Sequence, residues 1–134
     1  MKKILPRGIR NNNPLNIRIG NTWLGERSNP TDTSFEEFVS MAYGLRAGFI
    51  ILRRYIRRYH RNTIQQIIET WAPVTENATQ KYVDCVCQRT GLRPDVAIAY
   101  EDRDTMAKLV QAMAFVECGQ EINMKDILNG YEMA

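Results

Sequence analysis

The sequence predicts a mainly helical α+β fold, with about five helices around a long central helix and one small N-terminal β-hairpin. Residues 40–61 have apolar side chains at steps of three and four, which is the spacing of one helix face. Later segments show the same spacing between a capping residue and a helix stop. Apolar and polar residues alternate around a tight turn only in residues 14–25, which predicts the hairpin.

The composition indicates one globular domain over residues 1–134. Hydrophobic residues make up 44% of the chain and charged residues 25%, so a core can form without cross-links. The basic N-terminus lacks the apolar stretch of a signal peptide, and no run is long enough to span a bilayer. We therefore expect a protein made in the cytoplasm without a signal peptide, and either associated with a virion or delivered to the cell wall.

The sequence implies no cofactor and no metal site. The sequence has three cysteines, Cys85, Cys87 and Cys118, which is an odd number and includes no C-x-x-C pair. His60 is the only histidine. We interpret the three thiols as buried or half-buried side chains. A glycine-rich phosphate loop is also missing from the sequence.

Turn signals predict the organisation of the N-terminal segment. Residues 1–10 form an arm, and an Asn-Asn-Asn-Pro turn follows because Asn bonds its own backbone. Gly20 and Asn21 separate two short alternating segments, which makes residues 14–25 the hairpin. Residues 26–34 are polar and predict an exposed loop.

The central helix, residues 40–61, is amphipathic and has a basic flank without carboxylates. Residues 35–39 lead into it either as a short strand or as a pre-helical turn. Glu36 and Glu37 are interpreted as dipole or capping residues at its N-terminal end. The apolar stripe consists of Leu45, Phe49, Leu52, Ile56 and Tyr59.

Two helices follow the central one. Thr63 and Gln66 have the spacing of a capping box, and Pro73 prevents continuation of that helix. The next helix ends at Gly91, which supplies a left-handed stop. The inward-facing residues predicted for the pair are Ile64, Ile67, Ile68, Trp71, Tyr82, Val83 and Val86.

Two further helices are predicted at the C-terminal end. The first begins at Asp102 or Asp104 and runs to Gly119. The second begins at Asn123 and is closed by Gly130.

Charge is distributed unevenly along the chain. Residues 1–61 have 12 Lys or Arg and 4 Asp or Glu, whereas residues 62–134 have 6 and 11. This asymmetry predicts either a polyanionic partner for the first half or attraction between the halves. The arginines from Arg53 to Arg61 would suit DNA phosphates, but no DNA-binding motif accompanies them, so nucleic acid is the least favoured partner.

Two motifs resemble those of a known protein family. Residues 7–18, RGIRNNNPLNIR, are similar to the RGIRNNNPGNIR signature of small phage and prophage proteins that are often called virion structural proteins and regarded as lysozyme-like. Residues 71–82, WAPVTENATQKY, resemble the WAPPTEN-x-T-x-x-Y motif of that group. Leu15 stands where the signature usually has Gly, so this turn must avoid positive φ or be strained. Shorter matches are Trp23 and Gly25 to W-x-G, Phe35 and Phe38 to F-x-x-F, and Gly44, Arg46 and Ala47 to G-x-R-A.

The resemblance implies a lysozyme-like fold, with a peptidoglycan glycan strand and other virion proteins as partners. A muramidase or lytic transglycosylase needs a carboxylic acid with a raised pKa. The family's acid, a Glu before the hairpin, is missing because residues 1–25 contain no Asp or Glu. The catalytic candidates are Glu76, near Trp71 and Tyr82 in an apolar setting, and Glu26, directly after the hairpin. Position 76 equally suits a helix first turn, and position 26 a solvated loop.

The candidate substrate-binding residues are Asn13, Asn16, Trp23 and Tyr82. Asn amides can hydrogen-bond N-acetyl groups, and a Trp ring can stack on a sugar. Turn formation explains the Asn residues equally well. Trp23 could instead fill a gap between the hairpin and the helices.

Three functions stay open at this point. The first is a phage-derived lysozyme-like domain that binds peptidoglycan, with cleavage of its β-1,4 glycan strand left open. The alternative is a non-catalytic virion or envelope structural protein with the same fold. The third is a basic DNA-associated protein.

Overall fold

The computed structural model describes residues 5–72 and 76–134. Within these residues the fold has six helices and no sheet, which confirms the prediction of a mainly helical protein. The helices are α1 (Arg7–Arg10), α2 (Met41–Arg57), α3 (Ile64–Trp71), α4 (Glu76–Thr90), α5 (Arg103–Cys118) and α6 (Met124–Met133).

Helix α2 is held by a cap at its start and by a buried inner face. The Ser40 hydroxyl accepts a hydrogen bond from the Tyr43 backbone N–H at 3.4 Å, which satisfies one of the free donors of the first turn. Leu45, Phe49 and Leu52 are fully buried. The spacing seen in the sequence therefore does place these three residues in the core.

The predicted end of this helix at Arg61 is wrong. The helix stops at Arg57, and His60 has a φ of 54°, in the left-handed region. Tyr59, assigned to the apolar stripe, is 53% exposed. The chain turns here towards α3, so the last predicted turn of the helix is replaced by a bend.

Gly130 lies inside α6 rather than at its end. The predicted stop is wrong, because α6 continues to Met133. A Cβ atom at Gly130 would lie 2.6 Å from the Cβ atom of Leu45, so this glycine lets α6 pack closely on α2.

The capping box of α3, the predicted cap of α5 and the glycine stops after α4 and α5 are confirmed. The Thr63 hydroxyl accepts from the Gln66 backbone at 3.1 Å, and the Gln66 side chain accepts from the Thr63 backbone at 3.4 Å. Asp102 caps α5, and Gly91 and Gly119 have positive φ after α4 and α5. The buried residues of these helices include Ile64, Ile67, Ile68, Tyr82, Val83, Val86, Met106, Leu109, Val110 and Met113.

The predicted hairpin over residues 14–25 is not formed. Residues 17–19 instead lie antiparallel to residues 34–36, joined by backbone hydrogen bonds of 3.0 and 3.1 Å. Residues 25–27 lie against residues 37–39, with hydrogen bonds of 2.9 and 2.8 Å. Two isolated bridges therefore replace the local turn.

The buried amide of Asn13 explains this pairing. It donates to the carbonyl oxygens of Ile17 at 2.9 Å and Glu36 at 3.0 Å, and accepts from the Ile17 N–H at 3.0 Å. Ile19 and Leu24, which suggested an alternating hairpin, are 50% and 62% exposed. A side chain that joins distant segments has thus decided the pairing, which local alternation could not predict.

The predicted N-terminal arm, residues 1–10, is wrong over its described part, because Arg7–Arg10 forms α1. Gly8 is buried where a Cβ atom would lie 3.1 Å from the Cβ atom of Cys118, so α1 packs against the end of α5. Cys118 is buried and Cys85 and Cys87 are half-buried, as expected for these thiols.

Leu15 avoids the strain that its departure from the signature suggested. Positive φ falls on Asn12 and Asn16, at 51° and 53°, and not on Leu15. Leu15 is fully buried, and its Cδ1 atom lies 2.3 Å from the position of a Cβ atom at Gly48. The side chain therefore fills the space that a glycine of α2 leaves open.

Candidate functional site

A cleft of about 450 Å³ lies between α2, the end of α3, the last turn of α5 and the bridged segments around residues 17 and 35. This volume is within the range of sites that bind small ligands. Its aromatic lining residues are Phe35, Tyr55 and Trp71, and its polar ones are Asn16, Arg18 and Glu117. The Tyr55 and Trp71 rings meet edge to face, with centroids 6.3 Å apart.

Glu117 is a half-buried carboxylate in this cleft. Burial raises its pKa, and hydrogen bonds from Tyr82, Asn16 and Trp71 oppose part of that shift. The Asn16 amide also donates to the Glu117 main-chain oxygen at 3.0 Å. Glu117 lies in the last turn of α5, where the helix dipole disfavours a negative charge. The carboxyl group is therefore disposed to hold a proton at a higher pH than an exposed Glu.

A carboxyl group with a raised pKa beside aromatic side chains is the arrangement of a general acid for glycosides. Trp71 and Tyr82 are placed to stabilise the carboxylate once the proton has left. Geometry and electrostatics together allow Glu117 to deliver a proton to a ligand in the cleft.

Sequence reasoning missed Glu117. One signal could have found it: the residue lies two positions before the helix stop Gly119, at a helix end where an acidic residue is unfavourable. Its hydrogen-bond partner Asn16 is 101 residues away in the chain, so the contact between the two residues could not be predicted from the sequence.

Of the predicted binding residues, Asn16 and Tyr82 are brought together at Glu117. Tyr82 is only 8% exposed and does not line the cleft. Asn13 is buried, with its amide used inside the protein. Trp23 is half-buried and its backbone N–H donates to the Glu26 carboxylate at 2.9 Å.

Of the two predicted catalytic residues, the structure describes the side chain of Glu26 only. The side chain of Glu76 lies outside the described residues, as does the predicted helix stop at Pro73. Glu26 forms a carboxyl pair with Glu36, which is only 7% exposed. Burial, together with the hydrogen bond and charge of Glu26, raises the pKa of Glu36 to about 7.

This pair predicts a pH-dependent stability. Because the fold favours neutral Glu36 and the unfolded chain ionises it near pH 4.5, stability should fall as the pH rises from about 4.5 to about 7. Glu36→Gln should remove this slope and raise the free energy of unfolding at pH 8 by about 1–2 kcal/mol, measured by urea unfolding. Glu37→Gln is the matched control and should lose stability at pH 8, because the fold lowers the pKa of Glu37. An unchanged slope in Glu36→Gln would refute the raised pKa of Glu36 as its cause.

Glu37 does not serve α2 as predicted, since the first turn of that helix has no acidic residue. It accepts hydrogen bonds from the backbone of Thr31 and Asp32 and forms an ion pair with Arg27 at 3.2 Å. Arg7 holds Asp32 in a bidentate pair with two contacts of 2.6 Å, which keeps the pKa of Asp32 well below its usual range. These contacts anchor the polar loop to α1.

The basic flank of α2 is partly neutralised inside the protein. Arg57 forms an ion pair with Glu101, and its guanidinium lies 5.2 Å from the centroid of the Tyr100 ring. Arg61 pairs with Glu69 at 3.4 Å. These contacts support attraction between the oppositely charged halves of the chain, one of the two explanations of the charge asymmetry.

Comparison with known proteins shows a phage protein to which this chain is similar. No family model matches the chain. None of the helices in the described residues is long and apolar enough to cross a membrane. The chain is 37% identical over 131 residues to Protein P5 of Pseudoalteromonas phage PM2, an alignment that covers 94% of this chain and 80% of that protein. This chain therefore belongs to the same family as the phage PM2 Protein P5.

Proposed function

We propose that this protein is a phage-derived, lysozyme-like domain whose cleft binds the glycan strand of peptidoglycan and cleaves its β-1,4 bond. The observation that carries the proposal is the half-buried Glu117, with its raised pKa, in a cleft lined by aromatic side chains. The motif resemblance at residues 7–18 and 71–82 supports the lysozyme-like part of the proposal. The family relation to a phage protein supports the phage origin, and by itself it favours the structural role described below.

In the proposed reaction, Glu117 acts as the general acid. Its proton passes to the glycosidic oxygen while the bond to the anomeric carbon breaks, leaving a carboxylate that Asn16, Trp71 and Tyr82 stabilise. Attack on the anomeric carbon by water gives a reducing end. Attack by the 6-hydroxyl of the same sugar gives a 1,6-anhydro product, as in a lytic transglycosylase. In either route the attacking O–H group gives its proton to the Glu117 carboxylate, which restores the acid.

Aromatic side chains supply the proposed binding surface. Sugar rings have apolar faces that pack on aromatic rings, and Phe35, Tyr55 and Trp71 line the cleft. Asn16 lies beside the acid, and its amide donates to the main-chain oxygen and the carboxylate of Glu117, so it positions the acid.

A non-catalytic virion structural protein is the second candidate. The observation that favours it is the hydrogen bonding of Glu117 with Asn16 and Trp71, which also suits a carboxylate that ties α5 to the end of α3 and to Asn16. In this role the protein would bind glycan strands or other virion proteins without cleaving a bond.

The test uses purified peptidoglycan sacculi incubated with the protein. We expect the protein to sediment with sacculi and to release soluble muropeptides, whose ends, reducing or 1,6-anhydro, identify the reaction by mass spectrometry. Binding without release would favour the structural role, and neither binding nor release would refute the glycan proposal. Glu26→Gln and Glu76→Gln test the catalytic residues predicted from sequence, since loss of release in either would move the acid away from Glu117.

A further inference from the structure

Arg18 lies on the lining of the cleft with an uncommitted guanidinium group. Its guanidinium carbon is 4.8 Å from the centroid of the Phe35 ring. Among the described residues, no carboxylate lies within ion-pair distance of Arg18, and the side chain is exposed. Arg7 lies over the same ring at 4.6 Å but is committed to Asp32.

The backbone around Arg18 is firmly held. The Ile17 N–H donates to the Asn13 side chain, and the Glu36 N–H donates to the Ile17 carbonyl oxygen at 3.0 Å. The Ile19 N–H donates to the Ser34 carbonyl oxygen at 3.1 Å. A side chain between such anchors, resting on an aromatic ring, loses little freedom when a ligand binds.

We infer that Arg18 is a specificity-determining residue that selects glycan strands bearing carboxylates over neutral strands of the same backbone. The inference rests on the proposed function and names the substrate class of that cleft. A guanidinium stacked on a ring keeps its edge N–H groups free, and these match a carboxylate in a bidentate geometry. A neutral N-acetylglucosamine strand offers no group of this kind.

The acid in the same cleft is compatible with an anionic ligand. A bound carboxylate would repel an ionised Glu117 but not a protonated one, and burial favours the protonated form. Arg18 and Glu117 would then share the ligand, with Arg18 binding its charge and Glu117 donating a proton. In peptidoglycan the carboxylate has two sources: the lactyl ether of the sugar, when it is free of peptide, and the stem peptide.

The test measures binding by calorimetry in the Glu117→Gln background, where ligands are not consumed. Three tetrasaccharides are compared: chitin tetrasaccharide, the peptide-free strand with free lactyl carboxylates, and the strand with stem peptides attached. Adding Arg18→Gln should weaken binding of a carboxylate-bearing strand about fivefold to tenfold and leave chitin tetrasaccharide within about twofold. Arg93→Gln is the control, because Arg93 is exposed and does not line the cleft.

The outcomes separate the two claims. If Arg18→Gln weakens binding of the peptide-free strand only, the group that Arg18 binds is the lactyl carboxylate. If it weakens binding of the peptide-bearing strand only, that group is a carboxylate of the stem peptide. Equal weakening of all three ligands, or unchanged preference for anionic strands, would overturn the role of Arg18 while leaving the cleft as a glycan site. If none of the ligands binds before Arg18 is changed, the proposed function itself fails.

Discussion

Glu117→Gln is expected to lower the rate of muropeptide release by about 100- to 1,000-fold, the usual contribution of a general acid. The substitution keeps the size of the side chain and its hydrogen-bonding atoms near Asn16, but it removes the transferable proton. Thermal stability and sedimentation with sacculi should stay close to those of the unmodified protein. The rate of the unmodified protein should also fall as the pH rises through the raised pKa of Glu117.

Glu121→Gln is the matched control for this experiment. Glu121 is four positions further along the chain, is exposed, and pairs with Arg89 at 3.6 Å. We expect its release rate to be unchanged within about twofold, since surface ion pairs contribute little. Full activity in a folded Glu117→Gln variant would remove the acid role, and loss of stability in that variant would favour the structural tie described above.

Gly44→Ala is expected to destabilise the protein by at least about 3 kcal/mol, although alanine is the better helix former by about 1 kcal/mol. A Cβ atom at position 44 would lie 1.8 Å from the carbonyl oxygen of Asn12 and 3.3 Å from Phe38 Cδ2. The obstacle is backbone atoms, which cannot move away like the end of a side chain. Urea unfolding followed by circular dichroism measures the loss.

Gly20→Ala provides the comparison. Nothing lies within 4 Å of a Cβ atom at position 20, so the free energy of unfolding should change by no more than about 0.5 kcal/mol. If Gly44→Ala were as stable as Gly20→Ala, the Asn12 turn could not lie against α2 as described. The cleft depends on this contact, because the same turn leads directly into Asn16 and Arg18.

The short motifs acquire physical reasons in the structure. Gly44 admits the Asn12 carbonyl, Ala47 is fully buried, and the Arg46 side chain donates to the Met133 carbonyl at 3.2 Å, which joins α2 to the end of α6. In the N-terminal signature, Asn13 joins two distant segments and Asn16 reaches Glu117. The sequence shows these residues as motifs, but it does not show which residues they contact.

The positions of α2 to α6 were determined by the sequence alone, whereas α1 and the ends of α2 and α6 were not. The stripe of α2 and the capping box of Thr63 and Gln66 depend on residues within a few positions of one another. Such short-range interactions have the same geometry in any fold. The same holds for the glycine stops after α4 and α5, whose positive φ is a local property of the backbone.

Only the tertiary structure decided how the non-helical segments pair and where the candidate acid lies. Apolar and polar residues do alternate at residues 14–25, but the Asn13 amide joins residues 17–19 to a partner segment further along the chain. The sequence predicted Gly130 as a helix stop. Its contact with Leu45 joins α6 to α2, and only the tertiary structure shows this contact. Glu117 has a raised pKa through burial in the cleft, and burial is a property of the assembled fold that no single segment possesses.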